Sequence, residues 1–449
     1  MLVLLLSATV EASAQPDQSF SPMLDTAAVH DVAEAVAEWQ LRYPGRYAVW
    51  GRTASGDSVA LVLHGDGTIV RRAVRDWERP PPSRAADAVP EGWAAFVREK
   101  TQPDFGYADL PAPVRETVER AVPGSGEAAL QAHSVFAPRG WVMGALYAGL
   151  AAWGRTVDST PVLSALRQFG QAAQWRLGDR VYVADDHAVG QMYLALYERS
   201  KKPARLRNVQ MQFDWILDHP PGQAMTWKAG INRWTWADAL FMSPPVWAHL
   251  AALTGEERYR EYMNEEWWAT TEHLYDEEAH LFYRDDRFIE RRGPHGENIF
   301  WSRGNGWVLA GLVRVLEHLP ADHPDRDRYE RLYREMTRRV IALQADDGLW
   351  RSNLLDPAGT SDPEVSGSGF FCYALAWGLN RDLLTSEAAR TAVGRAWKGL
   401  VGVVQPNGRL TRVQPPGDRP APVPKVETAP YGVGAFLLAA YRLAWSASH

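Results

Sequence analysis

The sequence contains a single cysteine, Cys372, among its 449 residues. No disulfide can form within one chain, so the cysteine count neither requires nor excludes an oxidising compartment. The HExxH, paired-cysteine and EF-hand patterns that mark dedicated metal sites are missing, and so is a glycine-rich phosphate loop. We therefore expect neither a metal nor a cofactor.

Positive charge is also not in excess, because the net charge is -6 at pH 7 and the isoelectric point lies near 6.1. Without a basic field over the molecule, nucleic acid is not an expected partner. No stretch approaches the roughly 20 consecutive apolar residues that cross a bilayer. The first 15 residues, MLVLLLSATVEASAQ, resemble the end of a secretory signal without a basic segment before it, which favours a periplasmic or secreted protein over a cytoplasmic one. The alternative is a short apolar helix.

Tryptophan, by contrast, is abundant: the chain has 20 of them and is 11% aromatic. Flat aromatic faces serve both large cores and sugar-binding clefts. We expect most of these side chains to lie in the core. The tryptophans that share a short segment with charged or amide side chains are the candidates for a binding site.

Helical periodicity dominates from Trp141 onward. Segments such as VMGALYAGLAAWGR and VGAFLLAAYRLAW are apolar nearly all round, whereas RDRYERLYREMTRRVIALQ is charged on one side, so we predict inner and outer helices. A weak repeat, ALQADDGLWR near Gly348 and VVQPNGRLTR near Gly408, with HLYDEEAHLFYRD as a looser copy, makes a helical hairpin the repeating unit. The sequence predicts an all-α ring of about six hairpins, with function at its open mouth.

Residues 45–135 have a different pattern. GDSVALVLHGDGTIVRRAV predicts two strands around a Gly-Asp-Gly turn, and RPPPSRAADAVPEG is a proline-rich connector. We therefore divide the chain into a leader at 1–15, a helix plus insertion at 16–135 and a catalytic barrel at 136–449.

Two segments place aspartates directly before apolar helices. VADDHAVGQMYLALYE presents Asp185, Asp186 and His187, and capping of the helix explains one aspartate but not the whole group. In WKAGINRWTWADALFMSPP, Asp238 lies among aromatic side chains, where poor solvation raises a carboxyl pKa and suits the group to donate a proton. Capping is again the alternative. The same segment adds three further candidates for substrate binding: Lys228, Trp234 and Trp236.

Two later segments carry polar groups into helix starts. FWSRGNGWVLAGLVRVL places Arg303 between Trp301 and Trp307, with Asn305 beside them, and a guanidinium can hold a carboxylate through two hydrogen bonds. In PEVSGSGFFCYALAWGLN, Glu364 precedes a buried helix, and capping and ligand binding are equally plausible there.

At these segments the chain resembles glycoside hydrolase family 105, the unsaturated rhamnogalacturonyl hydrolases, and more distantly the family 88 unsaturated glucuronyl hydrolases. The resemblance runs from about Arg139 to the C-terminus through GWVMGALYAGL, DDHAVGQMYLALYE, WADALFMSPP, WSRGNGW, DGLWRSNLLDP, SGSGFFCYALAWGLN and YGVGAFLLAAYRL, in order. It implies an (α/α)6 barrel acting on an oligosaccharide that ends in a 4,5-unsaturated uronic acid. In such enzymes an aspartate protonates C4, water adds at C5, and the hemiketal opens to release the neighbouring sugar. Two carboxylates flanking the anomeric carbon are then not required.

The resemblance implies roles for particular residues. The general acid falls on Asp238, and the second site aspartate falls on either Asp185 or Asp186. The cation and the aromatic face that hold the uronate fall on Arg303 and Trp307. Lys228 and Trp141 are weaker candidates for the same task.

The chain departs from the family pattern in two places. LFYRDDRF puts Arg284 where many members have a histidine, so Arg284 either contacts a carboxylate or marks a different sugar. WQLRYP, near Trp39, precedes the first inner helix by about 100 residues, which predicts that an insertion interrupts the first hairpin.

Other readings remain open on the sequence alone. Arg284 and the Asp185/Asp186 pair would also fit hydrolysis of a saturated uronide or another glycoside. A glycan-binding protein without turnover would keep the same cleft, and a sugar epimerase would be expected to show more site histidines. The leaving-group sugar and the oligomeric state have no signal in the sequence.

Overall fold

The computed structural model describes residues 25–42, 46–52, 58–64, 69–73, 104–105, 131–134, 137–156, 160–227, 230–356, 359 and 361–445. The leader-like segment 1–15 and the proline-rich connector lie outside these residues. So does Lys228.

Twelve long helices of the described chain, numbered in chain order, alternate between an outer and an inner layer. The outer helices are α1 (Thr26–Arg42), α3 (Thr160–Ala172), α5 (Ala204–Asp218), α7 (Glu257–Leu274), α9 (Arg326–Ala342) and α11 (Glu387–Val401). The inner helices are α2 (Trp141–Thr156), α4 (Gly190–Ser200), α6 (Pro244–Thr254), α8 (Ser302–Leu316), α10 (Val365–Asn380) and α12 (Pro430–Trp445). Each inner helix contacts the next, and α12 closes the ring against α2. The predicted ring of six helical hairpins is confirmed.

The two layers follow from the sequence pattern. Every residue of α2 from Val142 to Gly154 is buried, because the helix packs between the outer layer and the centre of the ring. The outer helix α9 buries Tyr329, Tyr333 and Met336 at helical spacing and turns its charged residues outward. Where α2 crosses α12, a Cβ on Gly149 would lie 2.4 Å from the carbonyl oxygen of Gly434, so only glycine permits this approach.

The repeat also has a structural basis. Gly348 follows α9 and Gly408 follows α11, and both have left-handed φ angles of 83° and 86°. A side chain is strained in that conformation, so glycine ends each copy before the chain turns back toward an inner helix.

A five-stranded antiparallel sheet lies between α1 and α2 in the chain. Its strands are β1 (Arg46–Arg52), β2 (Ser58–His64), β3 (Ile69–Ala73), β4 (Asp104–Phe105) and β5 (Gln131–Ser134), in the order β3-β2-β1-β5-β4. Leu63 pairs with Ile69, so the predicted hairpin around the Gly-Asp-Gly turn is present. A short hairpin of β6 (Tyr275–Asp276) and β7 (Leu281–Phe282) lies between α7 and α8.

The first hairpin of the ring is discontinuous in sequence. Helix α1 packs on α12 and α3, and Trp153 of α2 donates its indole N–H to Glu34 of α1 at 3.0 Å. The chain therefore completes the outer half of this hairpin, enters the sheet, and returns for the inner half. Since α1 belongs to the ring, the barrel draws on residues before position 136. None of the described helices is long and apolar enough to span a membrane.

Candidate active site

The six inner helices begin at the same end of the ring. Trp141 at the start of α2 stacks on Tyr431 at the start of α12, with ring centroids 5.2 Å apart. Phe241, just before α6, packs against Trp307 in α8 and Phe370 in α10 at 4.7 and 5.4 Å. Helix N-termini carry a positive partial charge, so this end, called the mouth below, favours an anionic ligand.

Asp238 lies at the mouth, in the turn that enters the short helix Ala239–Met242. Its side chain caps no backbone N–H, so the capping explanation does not account for it. Its Oδ2 lies 3.3 Å from Nε of Arg284, and neither atom makes a hydrogen bond within the described residues. Burial raises the pKa of Asp238, the nearby Arg284 and Arg303 oppose that rise, and Asp285 adds to it. The carboxyl group can therefore hold a proton at a higher pH than an ordinary aspartate.

Arg284 reaches Asp238 because two chain segments are joined by backbone. The N–H of Ala237 donates to the carbonyl oxygen of Arg284 at 2.8 Å. The Arg284 guanidinium lies 4.2 Å above the ring of Trp227, and its Nη1 donates to Asp285 at 2.7 Å. Among the described residues, none accepts a hydrogen bond from its Nη2, so one edge of the guanidinium remains for a ligand.

Asp285 holds this cationic cluster together. Its buried carboxylate accepts hydrogen bonds from both Arg284 and Arg287, at distances of 2.7 to 2.8 Å. Arg287 also packs on Trp227 and pairs with Asp418 at 2.9 Å, which joins the turn after β7 to a loop 131 residues further along. Asp285 and Trp227 were missed by the sequence analysis, although both adjoin residues that it singled out.

The two consecutive aspartates have different surroundings. Asp186 is held by Arg180, which donates its backbone N–H at 2.8 Å and its side-chain Nε at 3.1 Å. A Cβ on Gly178 would lie 2.4 Å from this carboxylate, so the loop is folded closely around it. Asp185 makes only a long contact with Arg180, at 3.9 Å, and is electrostatically coupled to Asp238 and Arg284. Asp185 is thus the aspartate that faces the site, while Asp186 shapes the loop.

Arg303 does not meet the expectation that it holds a substrate carboxylate. Its side chain is fully buried, and Nη1 and Nη2 donate to the carbonyl oxygens of Gln414 and Pro415, both at 2.9 Å. It packs between the rings of Trp301 and Tyr431 at 4.2 and 4.9 Å. Its two terminal nitrogens therefore anchor the loop before α12, and its charge acts on Asp238 from beneath the mouth.

Three further candidates are structural in this arrangement. His187 donates and accepts inside the core, with Nδ1 at 2.7 Å from Ser243 Oγ and Nε2 at 2.7 Å from the carbonyl oxygen of Val181, and burial lowers its pKa to about 4. Asn305 pairs with both backbone groups of Phe282 at 2.8 and 3.0 Å, which fixes β7 against α8. Glu364 accepts from the N–H groups of Ser366 and Gly367, so it is the cap of α10.

The candidate tryptophans differ in how far they are buried. The fully buried ones, which pack in or below the floor of the mouth, are Trp234, Trp236, Trp301 and Trp307. Trp301 donates its indole N–H to Gln414 at 2.8 Å, and Trp236 meets Trp227 edge to face at 5.8 Å. Trp141 and Trp227 are only partly buried, so these two offer ring surface to a ligand.

The raised pKa of Asp185 predicts a pH dependence of the protein's stability. Burial raises its pKa to about 7, with the charges of Asp186 and Asp238 adding to the effect and Arg180 and Arg284 opposing it, while the ordinary value is 3.8. Between these two pH values the folded state keeps a proton that the unfolded chain loses, so this group makes the protein less stable as pH rises from about 4 to 7. We expect Asp185→Asn to remove that loss and to raise the free energy of unfolding at pH 8 by roughly 2 to 4 kcal/mol.

Urea unfolding of the two proteins at pH 5 and pH 8 measures the effect. Asp186→Asn is the control, because it breaks the hydrogen bonds to Arg180 and should lower stability at both pH values. Equal pH dependence in the wild type and Asp185→Asn would show that Asp185 ionises normally.

Comparison with known proteins places the chain among carbohydrate-active enzymes. The sequence profile of glycosyl hydrolase family 88 matches residues 125–445. A curated relative from Alteromonas sp. (strain LOR), named unsaturated 3S-rhamnoglycuronyl hydrolase, is 38% identical over 67% of this chain and 76% of its own length. A relative of the same name from Formosa agariphila is 38% identical over 69% of this chain and 86% of its own length.

Solved structures agree on the architecture. A structure named as a glycosyl hydrolase of family 88 from Bacteroides vulgatus has a TM-score of 0.64 and 26% identity, covering 69% of this chain and 92% of that one. A structure named as a polysaccharide lyase also has a TM-score of 0.64, with 29% identity, and covers 68% of this chain and 90% of that one.

Proposed function

The chain belongs to glycosyl hydrolase family 88, and on that premise we propose that it removes a terminal 4,5-unsaturated uronic acid from oligosaccharides, with Asp238 as the proton donor. One observation carries the assignment of residues: Asp238 Oδ2 lies 3.3 Å from Nε of Arg284. In the substrate, the carbon that must be protonated, C4, is joined to C5, which bears the carboxylate. An acid and a cation side by side match those two neighbouring groups.

Protonation begins the reaction. The carboxyl group of Asp238 donates its proton to C4, the C4=C5 electron pair forms the new C–H bond, and positive charge develops at C5 with help from the ring oxygen. Burial favours the protonated form of Asp238 that this step needs, since it raises the pKa of the carboxyl group. Arg284 then stabilises the carboxylate that Asp238 becomes.

Hydration completes the chemistry. Water adds at C5 and gives a proton to Asp238, which restores the acid form. The hemiketal at C5 opens to a ketone, and the hemiacetal left at C1 collapses to an aldehyde and the free neighbouring sugar. We assign the orientation of that water to Asp185, because it is partly exposed and interacts electrostatically with Asp238.

Recognition of the substrate carboxylate is assigned to Arg284. Its guanidinium is fixed on Trp227 and by Asp285, so little side-chain freedom is lost when a carboxylate binds. The helix N-termini around the mouth favour the same charge. For the sugar ring itself, Trp141 and Trp227 supply partly exposed aromatic faces.

The names of the two relatives point to a substrate class. Both are rhamnoglycuronyl hydrolases, so we propose a rhamnose-type sugar next to the unsaturated uronate. The proposal is tested by measuring kcat/KM on unsaturated disaccharides that carry rhamnose, galactose or a hexosamine in that position. A preference for a hexosamine would overturn this part of the proposal without affecting the reaction type.

Loss of the conjugated double bond tests the reaction itself. We expect the ultraviolet absorbance of an unsaturated uronyl disaccharide to fall as the free sugar appears, one double bond for each sugar released. One structural relative is named a polysaccharide lyase, so lyase activity is the alternative to test. A lyase would create double bonds in an intact polysaccharide, and the ultraviolet absorbance would increase. Sugar release from a saturated glucuronide, with no action on the unsaturated one, would contradict the proposal.

A further inference from the structure

A second cavity lies at the end of the ring opposite the mouth. It has a volume of about 220 Å³ and is lined where the inner helices end. Arg155 and Arg314 lie in the last turns of α2 and α8, Arg381 follows α10, and Arg442 lies in the last turn of α12. Four of the six inner helices thus bring an arginine to one small space.

The carboxylates in this cavity do not balance the arginines. Glu317 pairs with Arg442, and Glu198 pairs with Arg155 at 3.5 Å. Within the described part of the chain, no carboxylate lies at ion-pair distance from Arg314 or Arg381. The cavity therefore keeps an excess of positive charge.

Several buried nitrogens at the cavity are not hydrogen-bonded. Nε of Arg314, Nε of Arg442 and Nε2 of His249 are shielded from solvent and make no hydrogen bond to the part of the chain that the structure describes, although Oε2 of Glu198 lies 3.9 Å from His249 Nε2. His249 is 4% exposed and stacks on His318 with ring centroids 4.0 Å apart and planes 8° from parallel. Each of these nitrogens has lost water without gaining an acceptor, which is costly unless a ligand supplies one.

Attraction of arginines to the negative ends of the inner helices explains part of this arrangement. It does not explain the unsatisfied nitrogens, because a guanidinium that capped a helix would donate to the last carbonyl groups. The negative charge at the helix ends also does little to stabilise a neutral histidine. Burial and the charges of Arg314 and Arg155 lower the pKa of His318 to about 3, so it remains neutral.

We propose that this cavity binds a small divalent oxyanion of the sulfate or phosphate type. A tetrahedral oxyanion offers acceptors on all sides, which suits guanidinium groups that arrive from several helices. The space is sufficient for one such ion, and the surplus of arginine supplies the countercharge. The site is separate from the mouth, so its occupancy does not compete with substrate.

Calorimetric titration of the full chain tests the proposal. Sodium sulfate and sodium phosphate are titrated separately at constant ionic strength, with sodium acetate as the monovalent comparison. We expect one saturable site for each chain, a thermal midpoint that rises with sulfate or phosphate concentration, and no saturation by acetate. Stronger binding of sulfate than of phosphate, or the reverse, identifies the preferred anion.

Two substitutions assign the binding to this cavity. Arg314→Gln and Arg381→Gln should each weaken binding by about tenfold or more. Arg334→Gln, on the outer surface of α9, should leave it unchanged. Arg381 is exposed at the edge of the cavity, so its variant decides the question if Arg314→Gln does not fold. Absence of saturable binding in the wild type, or equal affinity in Arg381→Gln, would overturn the proposal.

Discussion

Asp238→Asn is expected to lower kcat on an unsaturated uronide by roughly 10²- to 10⁴-fold, the range by which a positioned acid accelerates proton transfer. Asparagine has nearly the same shape but no proton to give to C4. Because the Asp238 side chain does not cap the following helix, and asparagine keeps an oxygen in nearly the same place, the fold should survive the change. KM should change little, since the substrate carboxylate is held by Arg284.

Asp347→Asn is a suitable control, because Asp347 is exposed and pairs with Arg351 rather than with Arg284. Steady-state kinetics and a thermal unfolding curve separate the two possible effects. A kcat of Asp238→Asn within about tenfold of the wild-type value, in a folded protein, would remove Asp238 from the role of acid.

Arg284→Gln should affect both binding and pH dependence. The loss of a charged hydrogen-bonding partner should raise KM by roughly 10- to 100-fold. Because Arg284 lowers the pKa of Asp238, its removal should raise that pKa further. Activity requires the protonated acid and is lost as pH rises through its pKa, so the basic limb of the kcat profile should move to higher pH.

The matched variants Arg284→Lys and Arg287→Gln separate charge from geometry. Lysine keeps the positive charge near Asp238 but cannot form the planar fork, so KM should rise while the basic limb moves less. Arg287 packs on the same tryptophan and pairs with Asp285 but makes no ion pair with Asp238, so its loss should affect kcat less. An unchanged pH profile in Arg284→Gln would show that the two groups are not coupled.

The fold could be predicted because its signals are local and repeated. Apolar residues on all sides of α2 and α12 identified inner helices, and the glycine turns after α9 and α11 identified the hairpin unit. The first hairpin was the difficult part. Its halves are separated by the five-stranded sheet, and only the resemblance of WQLRYP, near Trp39, to the family pattern indicated that an insertion interrupts this hairpin; our division of the chain still began the barrel at residue 136.

The site was predicted less completely, because the burial of a side chain depends on residues that are distant in sequence. Arg303 stands between two tryptophans in sequence, which suits a ligand-binding arginine, yet residues 414 and 415, more than 100 positions away, supply its acceptors. The same holds for Asp186, whose partner Arg180 folds back from the preceding loop. Arg284, which the sequence offered as a departure from the family pattern and as a possible contact for a carboxylate, lies 3.3 Å from the proposed acid.

The most direct test of the account uses an unsaturated uronide whose glycosidic oxygen is replaced by sulfur. If Asp238 protonates C4, the bond at C1 is not broken in the acid-catalysed step, so the wild type should remove the double bond at a rate close to that for the oxygen substrate, and Asp238→Asn should not. Turnover of the oxygen substrate without loss of the double bond in the sulfur analogue would show that the enzyme attacks the anomeric carbon instead.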